Sequence, residues 1–225
     1  GLELGEPLVQ RERENGADDA VGPLVDAFLA SDVARASQLV MGAYFGGSAV
    51  ADICDDLLSP AMRRVGDLWQ GGHDGVLEEH RATSVCRLLV TRLSELLSRP
   101  AGASAVGGAI EVDPYSIPSQ MAEAVLRSSG YDAFDLGPNT PVDVICSAAD
   151  QASARVVWIS VNFVRDPVTT RKQLSDAFAQ NAGPQRDFVV GGRELGTLDL
   201  PAIDHVHRAS GMRDLGRIAA SFVSA

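Results

Sequence analysis

Three groups of residues in this chain carry side chains suited to chemistry. Trp69 precedes the adjacent pair Glu79-His80 by a nine-residue gap, and Gly71, Gly72, His73, Asp74 and Gly75 lie between them. Asp113-Pro114-Tyr115 forms a second group, and Ser160 with Gly191-Gly192 a third. A carboxylate such as Glu79 on an apolar helix face is costly to bury unless it meets a partner or a ligand. An imidazole such as His73 or His80 binds metal through a neutral nitrogen, whereas Tyr115 does so only after losing a proton with pKa ~10. Paired glycines let a backbone approach a guest closely. Ordinary accounts are also open: Glu79 as a first-turn residue favoured by the helix dipole, His80 as a boundary residue, Trp69 as a core aromatic, and Gly191-Gly192 as a tight turn.

The elements that must position these residues can be read from periodicity. Val21, Leu24, Val25 and Phe28 lie at helical spacing, as do Val33, Ala36, Leu39, Val40, Ala43 and Tyr44 after Ser31-Asp32. Val50, Ile53, Leu57, Ala61, Val65, Leu68 and Trp69 form a third stripe, with Ser59-Pro60 marking a kink or a junction of two helices. A fourth helix starts near Gly75, after a hairpin turn containing His73, and carries Glu79, Ala82, Val85, Cys86, Leu89, Leu93, Leu96 and Leu97 on one face. Four amphipathic helices in succession predict a bundle.

After the small-residue linker at 99–105, strands and helices alternate. Strands are predicted at Gly107–Val112, Tyr131–Leu136, Arg155–Ser160 and Phe188–Val190, with a weak fifth around Val206. Helices are predicted at Ser119–Ser128, Val142–Gln151, Lys172–Ala179 and Gly211–Val223. This alternation implies a parallel sheet covered on both faces, with any ligand beyond the carboxyl ends of the strands. The expected fold class is therefore α plus α/β: a flexible arm at 1–16, a four-helix bundle at 17–98, and a flavodoxin-like five-stranded domain at 106–225.

Composition narrows the function. The 225 residues are 45% hydrophobic and carry a formal net charge of -11, which disfavours a nucleic-acid surface. The three cysteines, Cys54, Cys86 and Cys146, sit in apolar helical patterns and read as core residues of a reducing compartment. No membrane span or signal peptide is legible, so a cytoplasmic location is expected. Neither a Walker loop nor G-x-G-x-x-G occurs at a strand end, and no nucleophile and base are paired, so independent catalysis is not expected.

The W-x9-EH spacing of Trp69 and Glu79-His80, in a bundle that precedes a flavodoxin-like domain, resembles the cobalamin-binding module of light-sensing MerR-type repressors. The resemblance runs from about residue 17 to 225. It implies that the bundle caps the upper face of a corrin ring, with Trp69, Glu79 and His80 against the upper axial ligand. It also implies that Asp113, Ser160, Gly191 and Gly192 line a slot for the displaced nucleotide tail. One motif departs: the family's D-x-H-x-x-G places the lower cobalt ligand two residues after the aspartate, and this chain reads Asp113-Pro114-Tyr115-Ser116-Ile117-Pro118. A soft, low-valent cobalt gains little from a phenolate, so histidine-on binding is not expected.

The resulting expectation is a sensory or regulatory module that holds a tetrapyrrole between bundle and sheet domain, responsive to light or redox state. Cobalamin, as adenosylcobalamin, is the first cofactor candidate. Biliverdin and haem are alternatives, since Tyr115 suits ferric haem better than cobalt, with His73 as another metal candidate. A ligand-free interaction domain and a corrinoid methyl carrier complete the set, Tyr115 counting against the carrier. A homo-oligomer and a regulatory protein partner are expected, and any DNA contact would come from an upstream domain or that partner.

Overall fold

The computed structural model describes residues 20–68, 73–97 and 102–223. Within them the chain forms two units, the first ending at Leu89 and the second beginning at Val90. Expectations for the arm at 1–16, for Trp69 and for residues 99–101 of the linker fall outside the described residues.

In the first unit, helices α1 (20–29), α2 (Val33–Phe45), α3 (Val50–Asp52), α4 (Ser59–Leu68) and the first part of α5 (His73–Leu96) follow the predicted apolar stripes. Asp32 caps α2 by accepting a hydrogen bond from the Arg35 amide at 2.9 Å. Leu24, Phe28, Val40, Leu58, Val65, Ala82, Cys86 and Leu89 are buried. Pro60 lies in the first turn of α4, one of the two arrangements the sequence allows. A π-helical stretch at Ile53–Leu58 joins α3 to α4, and the Ser59 amide reaches back to the Cys54 carbonyl. The wider turn accommodates the residue that cannot donate its own N–H. Helix α5 begins at His73, earlier than its glycines imply, so His73 is a helical residue and not part of the turn.

The second unit holds five parallel strands in the order β2-β1-β3-β4-β5: β1 (Ser104–Ala109), β2 (Asp132–Asp135), β3 (Val156–Ser160), β4 (Asp187–Gly191) and β5 (Val206–Ala209). This is the flavodoxin-like order, whose switch point lies between β1 and β3. Helices α6 (Ile117–Ser128), α7 (Val142–Gln151), α8 (Pro167–Asn181) and α9 (Met212–Val223) complete it. Val157, Ile159 and Val161 join Ile145, Leu174, Phe178, Phe188 and Val190 in one core layer. Alternation along the strand therefore sends Val156, Trp158 and Ser160 to the opposite face.

That second face explains why β1 begins earlier than predicted. Gly107 pairs with Trp158, and a Cβ on Gly107 would lie 2.1 Å from Cδ2 of the indole. Gly107 therefore belongs inside the strand, where its lack of a side chain makes room for Trp158, and not at the strand's start. Trp158 is 2% exposed, and its Nε1 donates to Ser119 Oγ at 2.9 Å. Ser119 in turn donates to Asp135 Oδ1 at 2.6 Å.

At the amino ends of the strands, Asp187 is buried and ties three segments together. Its Oδ1 lies 3.1 Å from His205 Nδ1 and 2.9 Å from His207 Nε2, and Arg155 donates to Oδ2. Burial pushes the Asp187 pKa up, but the hydrogen bonds from His207, Arg155 and His205 outweigh it and hold the carboxyl below its ordinary value. A depressed carboxylate stabilises the fold above its unfolded pKa, and that contribution is lost as pH falls through the folded value. Wild-type thermal stability should therefore fall below about pH 4. In Asp187→Asn that part of the acid dependence should be missing and neutral-pH stability lower by about 2 kcal/mol. Thermal melts from pH 7 to 3 read both; parallel profiles for the two proteins would contradict the assignment.

Candidate functional site

The site lies at the carboxyl rim of the sheet, where the turns after β1, β3 and β4 meet. The turn after β1 passes through Val112, at φ 63°, and its amide is held by Asn139 Oδ1 at 2.7 Å. This brings Asp113, fully buried, beneath the neighbouring turn. Its Oδ1 accepts the Tyr115 amide at 3.0 Å, and its Oδ2 accepts the Asn162 amide at 2.6 Å. Burial pushes the Asp113 pKa up, against the pull of these hydrogen bonds, and the net direction is upward.

Asn162 is the hub of the rim. Its side-chain Nδ2 donates to Ser160 Oγ at 2.8 Å, while its backbone carbonyl accepts Arg193 Nε at 3.0 Å. The Arg193 amide points to Asn162 Oδ1 at 3.4 Å. So fixed, Arg193 places its guanidinium carbon 4.8 Å from the centre of the Tyr115 ring, in cation–π contact. Tyr115 and Phe163 remain 38% and 39% exposed. The rim therefore presents half-exposed aromatic side chains and a guanidinium on hydrogen-bonded turns.

The expected slot residues have other partners here. Asp113 and Ser160 are buried and bound to Asn162. Gly192, at φ +123°, has no room for a Cβ, which would meet the Val161 carbonyl oxygen at 2.2 Å. Its close approach is to the protein's own backbone. Gly191 ends β4, where a Cβ would lie 3.2 Å from the Ala209 carbonyl oxygen. In the first unit Glu79 is half-buried and His80 exposed, with the His80 carbonyl accepting Ser84 Oγ at 2.9 Å. Trp69 and the His73 side chain lie outside what the structure describes. Asn162, Phe163 and Arg193 were legible only as part of strand ends. Their roles come from hydrogen bonds across turns that are far apart in sequence.

Among the described residues no cluster of three or more His, Cys, Asp or Glu could hold a metal ion. His205 and His207 face Asp187 at the far end of the sheet. Burial pushes the Cys86 thiol up to about 12 and Cys54 higher still, with Cys86 and Asp55 as smaller causes at Cys54. Buried, protonated thiols are poor nucleophiles and poor ligands. No helix among the described residues is long and apolar enough to cross a membrane.

Comparison with known proteins now bears on the guest. A family model matches residues 21–94. Its description is "B12 binding domain". A second match, 22% identical over 147 residues, is to methionine synthase of Mycobacterium tuberculosis (strain ATCC 25618 / H37Rv). It covers 64% of this chain and only 12% of that protein's length. Among solved structures, the Methanosarcina barkeri monomethylamine corrinoid protein superimposes with a TM-score of 0.64 at 17% identity, over 88% of this chain and 95% of that one. The fold is thus shared with a corrinoid protein.

These matches support a cobalamin-binding module and cobalamin as its cofactor. They name neither a photoreceptor nor a transcriptional regulator, a bilin or a haem, so the light-sensing context implied by the resemblance is not what they support. The rim offers a guest the Tyr115 ring with the Arg193 guanidinium over it, and Tyr115 is the position at which an imidazole would be expected.

Proposed function

We propose that this chain is a corrinoid carrier module of the methyl-transfer type, which holds cobalamin and presents it to a partner protein that carries out the chemistry. The B12-binding match over residues 21–94 carries this reading. The fold shared with a corrinoid protein, and the name of the curated relative, agree with it. Bound corrinoid supplies a cobalt–carbon bond that can be made and broken. The chain's own part is to seat the cofactor on Tyr115, Arg193 and Phe163, with Asn162 and Asp113 holding the turns that carry them. Acting through a partner also accounts for a rim with no paired nucleophile and base.

One observation favours a second reading. Tyr115 leaves the rim without an imidazole to tune cobalt, which suits a module that holds the cofactor without turnover, such as a sensor.

The test is an absorption spectrum after dark incubation with methylcobalamin, adenosylcobalamin, biliverdin and haemin separately, each followed by desalting. A corrin band retained at about one per chain is expected. Retention of a bilin or haem alone, or of nothing, overturns the corrinoid reading. Illumination then separates the two roles: a stable photoproduct without methyl transfer to a partner methyltransferase supports sensing.

A further inference from the structure

We infer that the rim receives cobalamin in its base-on form, with the cofactor's own nucleotide base kept on cobalt and stacked on Tyr115, Arg193 and Phe163. The inference rests on the corrinoid reading above and specifies the lower ligand.

The first argument is the shape and chemistry of the rim. Tyr115 and Phe163 are half-exposed residues of the turns after β1 and β3, which the Asp113 carboxylate ties together through the amides of Tyr115 and Asn162. Arg193 lies over the Tyr115 ring and is anchored through Asn162. Planar heteroaromatic groups stack on aromatic and guanidinium faces alike. A nucleotide base brings a phosphodiester with it, and a guanidinium is its natural counter-charge. An imidazole at position 115 would have competed with that base for the cobalt, whereas a tyrosine offers it a surface.

The second argument is what lies below the rim. A base displaced from cobalt needs a place to go, and the layer between β1, β3 and α6 is filled. Trp158 covers Gly107 there and is locked to Ser119, which is itself fully buried. Ser160 and Asp113, the polar groups beside this layer, are engaged by Asn162.

The third concerns the imidazoles in the second unit. Both, His205 and His207, are held by Asp187 at the amino ends of the strands. They cannot reach the opposite rim without dismantling that cluster.

The decisive measurement is the electron paramagnetic resonance spectrum of the full chain loaded with cob(II)alamin. It is recorded with nitrogen-15 placed either in the nucleotide base or in the protein's histidines. The nitrogen splitting should change with the base label and not with the histidine label. Splitting that follows the histidine label, as it would if His73 or His80 were the ligand, overturns the inference. So does a spectrum with no nitrogen splitting, as Tyr115 oxygen would give. If no corrinoid is retained, the carrier reading fails and this inference with it, an outcome distinct from the other two.

A second measurement compares cobalamin with cobinamide, which has the same ring and no nucleotide. Arg193→Ala should weaken cobalamin binding roughly tenfold and cobinamide binding by less than about threefold. Equal losses for the two ligands would mean that Arg193 touches the ring alone. Because Arg193 is exposed, its removal leaves the fold intact, which an unchanged melting temperature verifies.

Discussion

Asp113→Ala should lower the stability of the sheet unit by roughly 4 kcal/mol and abolish corrinoid retention together with it. The magnitude follows from what the carboxylate holds. It accepts the amides of Tyr115 and Asn162 in a fully buried position. Each buried donor left without an acceptor costs about 1–3 kcal/mol, and some of that is recovered where the turns open to water. Asp113→Asn keeps one carbonyl oxygen as acceptor and should cost about half as much. Hydrogen exchange provides the site-specific readout: the amides of Tyr115 and Asn162 should lose protection in Asp113→Ala, while those of β5 should not. A change below about 1 kcal/mol, or protection lost uniformly, would mean that the carboxylate does not anchor the rim.

From the sequence this aspartate is a strand-end residue that the resemblance assigns to a cofactor slot; that it also anchors two turns was not legible, for a physical reason. Type and spacing placed Asp113, Ser160 and Gly191-Gly192 at the ends of successive strands, because strand and helix periodicities differ and alternate cleanly here. The five strands and their parallel order were legible for that cause. A strand end does not say which way a buried carboxylate turns, and that depends on Asn162, whose four polar atoms meet two other turns and the end of its own strand. Nothing about an isolated asparagine after a strand announces such a role.

Arg193 was hidden for the same reason: its contact with Tyr115 spans 78 positions (193 − 115) and exists only because both turns are pinned to the β3 turn. Boundaries failed for local reasons. Gly107-Gly108 looked like the start of β1, since glycine weakens strands, until Trp158 supplied the need for an absent side chain. Pro60 left a kink or a junction open, and the structure places it in the first turn of α4. The most telling single letter, Tyr115 in place of histidine, was legible at once. Its consequence for the lower ligand needed the structure, which shows the phenol half-exposed under a guanidinium and the layer below filled.

That filled layer leads to the other large effect. Trp158→Ala should destabilise the sheet unit by about 3–5 kcal/mol, the usual cost of truncating a buried tryptophan. The site has little means of collapsing around the void. Gly107 has no side chain to move into it, and its neighbours on the same strand face are Ala105 and Ala109. Ser119 would also lose the indole N–H that it accepts, while still donating to Asp135. An apolar cavity with one hydrogen-bond acceptor on its wall is the complement of the group removed, so added indole should bind there and restore stability. At a free concentration ten times its dissociation constant, indole should return about 1.4 kcal/mol, seen as a concentration-dependent rise in melting temperature absent from the wild type. The same cavity would give a displaced nucleotide base somewhere to lie, so in cob(II)alamin-loaded Trp158→Ala the base's nitrogen splitting should weaken relative to wild type. A variant that melts like wild type, or ignores indole, would show that Trp158 does not fill the layer beneath the rim, and with it the second argument for base-on binding would fall.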